Sequence, residues 1–252
     1  MSQRTVWKTL FINCVKLSDT ILFLTRTGGI KLGAYKLISF DKIPSTQDYA
    51  HDLIAQKKAT DKTVVTALAQ SAGRGRYKRN WVSHHGNLYA SFIYKIAERD
   101  PRLSYAIAVA IAETLISFGI QPQIKWPNDV LVGGKKISGV LIEYAQNFVI
   151  VGIGINIKTC PTVKEYQTTK MKNYTDVSVE EVLSVLMKKL DKWRGANFCA
   201  VRERWMELAI CIKKMIRYQG KDAELIGINE DGALVLRFDT RYVLTYGDEI
   251  SI

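Results

Sequence analysis

From Tyr35 onward, short apolar runs alternate with amphipathic stretches, and turn residues mark the breaks between them. Residues 35–40 read as a strand. Pro44 followed by Ser45 or Thr46 as N-cap, with Asp48 in the first turn, predicts a helix to about residue 57. Residues 63–69 and 87–96 read as strands. Residues 103–118 are apolar over most of a helical surface, which predicts a buried helix, and Gly119 ends it. Residues 125–132 and 135–144 predict a hairpin whose turn is Gly133-Gly134, a pair suited to the positive φ of a two-residue turn. Residues 148–157 are the next strand. Ser178 with Glu181 forms a capping box that opens a helix to about Trp193, and a second helix covers residues 198–211.

The two ends differ from this middle. The first 34 residues hold neither period for long and break at residues 25–29, so they read as a strand or two, or as an extension. Residues 221–252 are short apolar strands punctuated by Asn229-Glu230-Asp231-Gly232 and Tyr246-Gly247-Asp248. A module this small must dock on its neighbour to be stable. The expected organisation is residues 1–34 as an extension, 35–215 as an α+β main domain with a mixed sheet and helices, and 216–252 as a small β-barrel.

Composition changes this picture little. Across 252 residues, 47% hydrophobic content suffices for a real core. No apolar run reaches the length of a membrane span, and the first twenty residues lack the pattern of a signal peptide. Cys14, Cys160, Cys199 and Cys211 are scattered without metal-ligand spacing, which points to a reducing cytoplasm and no structural zinc. The net charge of +12 calls for an anionic partner, and nucleic acid, nucleotide and acidic protein all qualify.

Two segments carry candidate chemistry. In residues 73–81, GRGRYKRNW, Arg74, Arg76, Lys78 and Arg79 crowd into six positions between flexible glycines. Arginine forks suit phosphate or carboxylate, and a solvated basic turn is the competing reading. In the hairpin, pairing across Gly133-Gly134 sets Val132 opposite Lys135 and Leu131 opposite Lys136. Asp129, Leu131 and Lys136 then share a face, with Asp129 and Lys136 diagonal neighbours roughly 7–8 Å apart. A carboxylate and an ammonium there would suit chemistry on a phosphate ester, and a surface salt bridge is the plainer alternative.

PSTQDYA (44–50), GRGRYKRNW (73–81), KWPNDVLVGGKKISGVLIE (125–143) and VGIGINI (151–157), in this order, resemble the biotin protein ligases. The resemblance implies a class II synthetase-like fold with an SH3-like C-terminal barrel. It also implies synthesis of biotinyl-5′-AMP from biotin and ATP with Mg²⁺, then transfer to a lysine of a biotin carboxyl carrier protein such as that of acetyl-CoA carboxylase. By the same resemblance Ser45, Thr46 and Gln47 read the ureido ring, with Gln47 standing where the family usually has asparagine. Gln70 lies beside that ring, and Arg74, Gly75 and Arg76 belong to a closing loop. Arg76 and Arg79 balance carboxylate and phosphate charge, and Lys136 holds both together. Asp129 helps deprotonate the acceptor lysine beside Asn128, while Lys125 and Asn156 lie on the nucleotide side. Trp81 and Trp126 are expected to flank the site as packing residues, and His51, His84 and His85 to lie at the surface or in packing.

Only 34 residues precede the first motif, without a recognisable helix pair, so no DNA-binding role is expected. Two alternatives are a lipoate or other acyl ligase of the same fold and a nucleic-acid-binding protein.

Overall fold

The computed structural model describes residues 23–24 and 30–246. Most of what the sequence suggests for the first 34 residues, Cys14 included, and the last turn signal at Gly247 lie outside these residues.

The large sheet contains β1 (Phe23–Leu24), β2 (Ile30–Leu32), β3 (Tyr35–Ile43), β4 (Thr63–Gln70), β5 (Leu88–Lys95), β6 (Gln123–Lys125), β7 (Asp129–Val132), β8 (Lys135–Ala145) and β9 (Phe148–Ile155). Their spatial order is β1-β2-β3-β4-β5-β9-β8-β7-β6. β3 and β4 run parallel and the other neighbours antiparallel. One helix, α1 (Thr46–Ala55), supplies the β3–β4 crossover. Side-chain alternation splits the core: Val65, Ile93 and Ile150 pack under α1 with Ala50, Leu53 and Ile54, whereas Val64, Phe92 and Val151 face the opposite layer.

That opposite layer is α2 (Leu103–Ile116), α3 (Val179–Arg194) and α4 (Phe198–Leu208). Residues 105–112 of α2 are all buried, as an all-round apolar helix requires. The one acid among these apolar turns, Glu113, ties the layer together by meeting Lys189 of α3 at 3.3 Å and Arg204 of α4 at 2.6 Å. Ser178 and Glu181 cap α3 reciprocally.

A second, antiparallel sheet of four strands follows among the described residues: β10 (Met215–Tyr218), β11 (Lys221–Ile228), β12 (Leu234–Phe238) and β13 (Arg241–Thr245). It docks through polar bonds as well as apolar packing. The Tyr105 hydroxyl donates to the Gly232 carbonyl at 2.7 Å, and Arg202 Nε donates to the Ile228 carbonyl at 2.8 Å.

Two element readings need correction. Residues 125–132 are not one strand: β6 and β7 fold back on each other, Lys125 opposite Asp129, because Pro127 has no N–H to continue a ladder. β10 was not foreseen, since four residues of MIRY alternation give too little signal. Of the two readings of the first 34 residues, the strands are found: the sheet begins before residue 35, and Gly33 at φ 60 lets residues 33–34 turn β2 back onto β3.

Candidate active site

A cavity of about 630 Å³ opens on the α1 side of the large sheet. Its floor is made by register. Tyr89, Gly154, Gly139 and Asp129 lie in one row across β5, β9, β8 and β7, and Ser91, Gly152 and Leu141 form the next row. Two adjacent glycines in the first row leave a bare patch of backbone, on which the Trp81 indole rests. A Cβ at Gly154 would stand 2.5 Å from that indole, and one at Gly139 3.0 Å from it. Trp81 Nε1 is buried and meets no acceptor among the described residues.

The start of α1 forms one end wall. Ser45 is the N-cap, its Oγ accepting from the Asp48 N–H at 3.2 Å, which decides between Ser45 and Thr46. Gln70 Oε1 accepts from the Thr46 N–H at 2.8 Å and from Thr46 Oγ1 at 3.2 Å. Gln70 Nε2 donates to Ser83 Oγ at 2.9 Å. Ser91 Oγ lies 2.9 Å from both Thr46 Oγ1 and Gln47 Oε1. The longer amide at position 47 therefore reaches the sheet: a Cβ on Gly152 would be 2.6 Å from Gln47 Oε1.

The basic loop arches over this cavity as a narrow hairpin. Trp81 N–H donates to Gly73 at 2.8 Å, and Gly75 N–H donates to Arg79 at 2.8 Å. At its tip Tyr77 and Lys78 take φ of 54 and 59, the left-handed region that costs a side-chain-bearing residue. Arg76 Nη1 donates to Asn128 Oδ1 at 3.1 Å, and Asn128 Nδ2 donates to the Val140 carbonyl at 2.6 Å. Arg74 turns instead to Asp48 and Glu143. Burial pushes the Glu143 carboxyl up, but hydrogen bonds from Arg74, His51 and Gln47 outweigh it and hold it below the usual carboxylate range. The Glu143 bond leads the causes that raise Arg74 above its ordinary value.

Lys136 stands at the far side. Its Nζ is 2.7 Å from Asp129 Oδ1, 5.5 Å from the Trp81 ring centroid and 5.0 Å from that of Tyr166. Beyond it lies a second cavity of about 240 Å³, walled by residues 161–166 and Thr168. Lys136 and Trp81 line both cavities. The loop that walls the second one is pinned at each end. Asn87 Oδ1 accepts from the N–H groups of Ile157, Lys158 and Thr159 at 2.8, 3.0 and 3.1 Å. Lys136 N–H donates to Gln167, and Thr169 N–H donates to Lys136, both at 2.9 Å.

Twelve of the sequence-picked residues line the first cavity together: Ser45, Thr46, Gln47, Gln70, Arg74, Gly75, Arg76, Arg79, Lys125, Asn128, Asp129 and Lys136. Asn156 lies apart, on the second cavity, where its Nδ2 donates to the Thr169 carbonyl at 3.0 Å and braces the loop. Trp126 Nε1 donates to the buried Tyr105 hydroxyl at 3.2 Å. His51 does not merely pack, because its ring meets Glu143 at 3.0 Å. Sequence reading missed Ser91, Asn87, Tyr166, Glu143 and the floor glycines. The G-x-G of residues 152–154 was the available signal, since period-two glycines in a strand clear one face. No group of three His, Cys, Asp or Glu able to hold a metal occurs among the described residues.

Known proteins are similar to this chain in sequence and fold. The biotin/lipoate A/B protein ligase family matches residues 39–159. The bifunctional ligase/repressor BirA of Bacillus subtilis is 30% identical over 240 residues, covering 86% of this chain and 74% of the relative. A biotin–[acetyl-CoA-carboxylase] ligase of Paracoccus denitrificans is 30% identical over 199 residues, covering 69% of this chain and 83% of its own. The biotin protein ligase of Aquifex aeolicus, solved in complex with biotin and ATP, superposes with a TM-score of 0.75 at 27% identity, over 85% of this chain and 97% of that one. The chain belongs to the biotin protein ligase family.

Proposed function

We propose that this chain joins biotin to ATP as biotinyl-5′-AMP and then passes the biotinyl group to a lysine of a biotin carboxyl carrier domain. The supporting observation is the place of Lys136, whose side chain lines two adjoining cavities. One is walled by hydroxyls and amides suited to a ureido ring, and the other by a pinned loop. A cation at their junction meets the carboxylate of one substrate and the α-phosphate of the other.

In the first step a biotin carboxylate oxygen attacks the α-phosphorus, a P–O bond forms, and the bond to pyrophosphate breaks. Lys136, with Arg76 and Arg79 from the loop, opposes the charge that accumulates there. Thr46, Gln47 and Gln70 orient the ring through the Ser91 network, and the Trp81 indole packs on the glycine floor beside it. The loop excludes water from the mixed anhydride. In the second step the neutral amine of the acceptor lysine attacks the acyl carbon and AMP departs. That amine must first lose a proton, and Asp129, which lines the first cavity and meets Lys136 at 2.7 Å, receives it. The Asn156-braced loop borders the second cavity on the nucleotide side, while Lys125 and Asn128 line the first.

Magnesium fits as a companion of the nucleotide. Asp129 and Glu165 are carboxylates on the cavity wall, and Asp129 is already paired with Lys136. Triphosphate oxygens would therefore supply most of its ligands, and the ion would offset phosphate charge.

Incubation with biotin, MgATP and a carrier domain tests the reading by mass spectrometry. The expected result is one biotinyl addition on the carrier lysine, absent when lipoate replaces biotin. Equal modification by lipoate, or none with biotin, would overturn it.

A further inference from the structure

The four cations of the basic loop are not equivalent. Arg76 crosses the cavity mouth to Asn128, but Arg74 commits its guanidinium to two carboxylates of the scaffold. Its Nη1 and Nη2 donate to the two oxygens of Glu143 at 3.0 and 3.1 Å, a parallel fork. Its Nε donates to Asp48 Oδ1 at 2.9 Å. Glu143 sits on β8 and Asp48 on α1, and these two elements frame the ring end of the cavity. His51 of α1 shares Glu143 Oε2 at 3.0 Å, so the carboxylate is held from both sides.

We infer that Glu143 and Asp48 are positioning residues: through Arg74 they clamp the base of the 73–81 loop to the scaffold. The clamp stands on geometry that involves no ligand. Its consequence for the reaction rests on the function proposed above. A loop held at the base closes over the adenylate by a small movement of the tip, and the reactive anhydride stays inside. Arg74 then acts on the loop and not on the substrate.

Glu143→Gln keeps the shape of the carboxylate and removes its charge, and Asp48→Asn does the same on an exposed residue. The clamp is read in the unliganded protein by the rate of tryptic cleavage after Arg76, Lys78 and Arg79, resolved by mass spectrometry. It is read again in the rate at which bound biotinyl-5′-AMP is released. Charge-assisted hydrogen bonds of this kind support about a tenfold rise in both rates for Glu143→Gln, with a smaller rise for Asp48→Asn. Adding Glu143→Gln to Arg74→Ala should bring no further increase, because both remove one contact. The urea midpoint should hold near the parent value, which a general loss of packing would not allow. Parent-like cleavage in both single variants, or fully additive effects in the double variant, would overturn the clamp. If Glu143→Gln fails to fold, Asp48→Asn alone decides. A protein that binds no adenylate would remove the proposed function, while the cleavage rates would still judge the clamp.

Discussion

Lys136 and Asp129 meet at 2.7 Å on one face of the β7–β8 hairpin, and β8 carries one residue more than β7 between them. Leu131 pairs with Lys136, Val130 pairs with Ser138, and Ile137 is the extra residue of a bulge. Asp129 therefore faces Gly139 instead of Ser138. Three residues apart on a regular strand, Gly139 and Lys136 would point to opposite faces. The bulge brings them to one face, where the missing side chain of Gly139 makes room: a Cβ there would stand 3.2 Å from Lys136 Cε.

This pairing separates two half-reactions. Lys136→Ala removes the cation opposing carboxylate and phosphate, and pyrophosphate release should fall about a hundred- to a thousand-fold, as for other preorganised electrostatic groups. Asp129→Asn should keep more adenylate formation and slow the discharge of preformed biotinyl-5′-AMP onto a carrier lysine, which is almost fully protonated at neutral pH. Rapid-quench assays of each half-reaction check both. Near-parent rates throughout would mean that the pair is only a salt bridge.

The bare floor gives a second expectation. Gly154 does not take a left-handed φ, so alanine suits its backbone, but the new methyl would overlap the Trp81 indole. Overpacking of this kind costs about 1–3 kcal/mol, which corresponds to roughly a five- to 150-fold loss of affinity if the indole yields by moving into the cavity. Calorimetry with biotin should show weaker binding by Gly154→Ala, and pairing it with Trp81→Phe should recover part of the loss.

Acid should loosen the helical layer at Glu113. Burial pushes this carboxyl up, but hydrogen bonds from Arg204 and Lys189 outweigh it and hold it below its ordinary value. A depressed carboxyl contributes stability that is present above its unfolded pKa, near about 4.3, and is lost as pH falls through the lower folded value. Urea midpoints of the parent protein should drop across that acid window, and Glu113→Gln should flatten the drop.

Local chemistry made much of this legible in the sequence. The capping box at Ser178 and Glu181, the Gly133-Gly134 turn and the pairing of Leu131 with Lys136 each depend on residues close in the chain. So did the nomination of twelve cavity-lining residues, since their motifs follow one another along the chain. The partners of Arg74 were not legible, because Glu143 lies 69 residues away and meets it only after β8 joins the sheet. The bulge at Ile137 leaves no mark in a strand that alternates well on either side of it. Asn87, which holds three consecutive N–H groups 70 to 72 residues distant, looked like an ordinary strand-end asparagine.

Pyrophosphate release in the absence of any acceptor is the most direct measurement of the central claim. With biotin and MgATP, release should come as a burst of about one equivalent per active site and then nearly stop, because a retained adenylate blocks further turnover. Lipoate in place of biotin should give no burst. Release that ignores biotin, or a burst of the same size with lipoate, would contradict the assignment of this cavity to biotin activation.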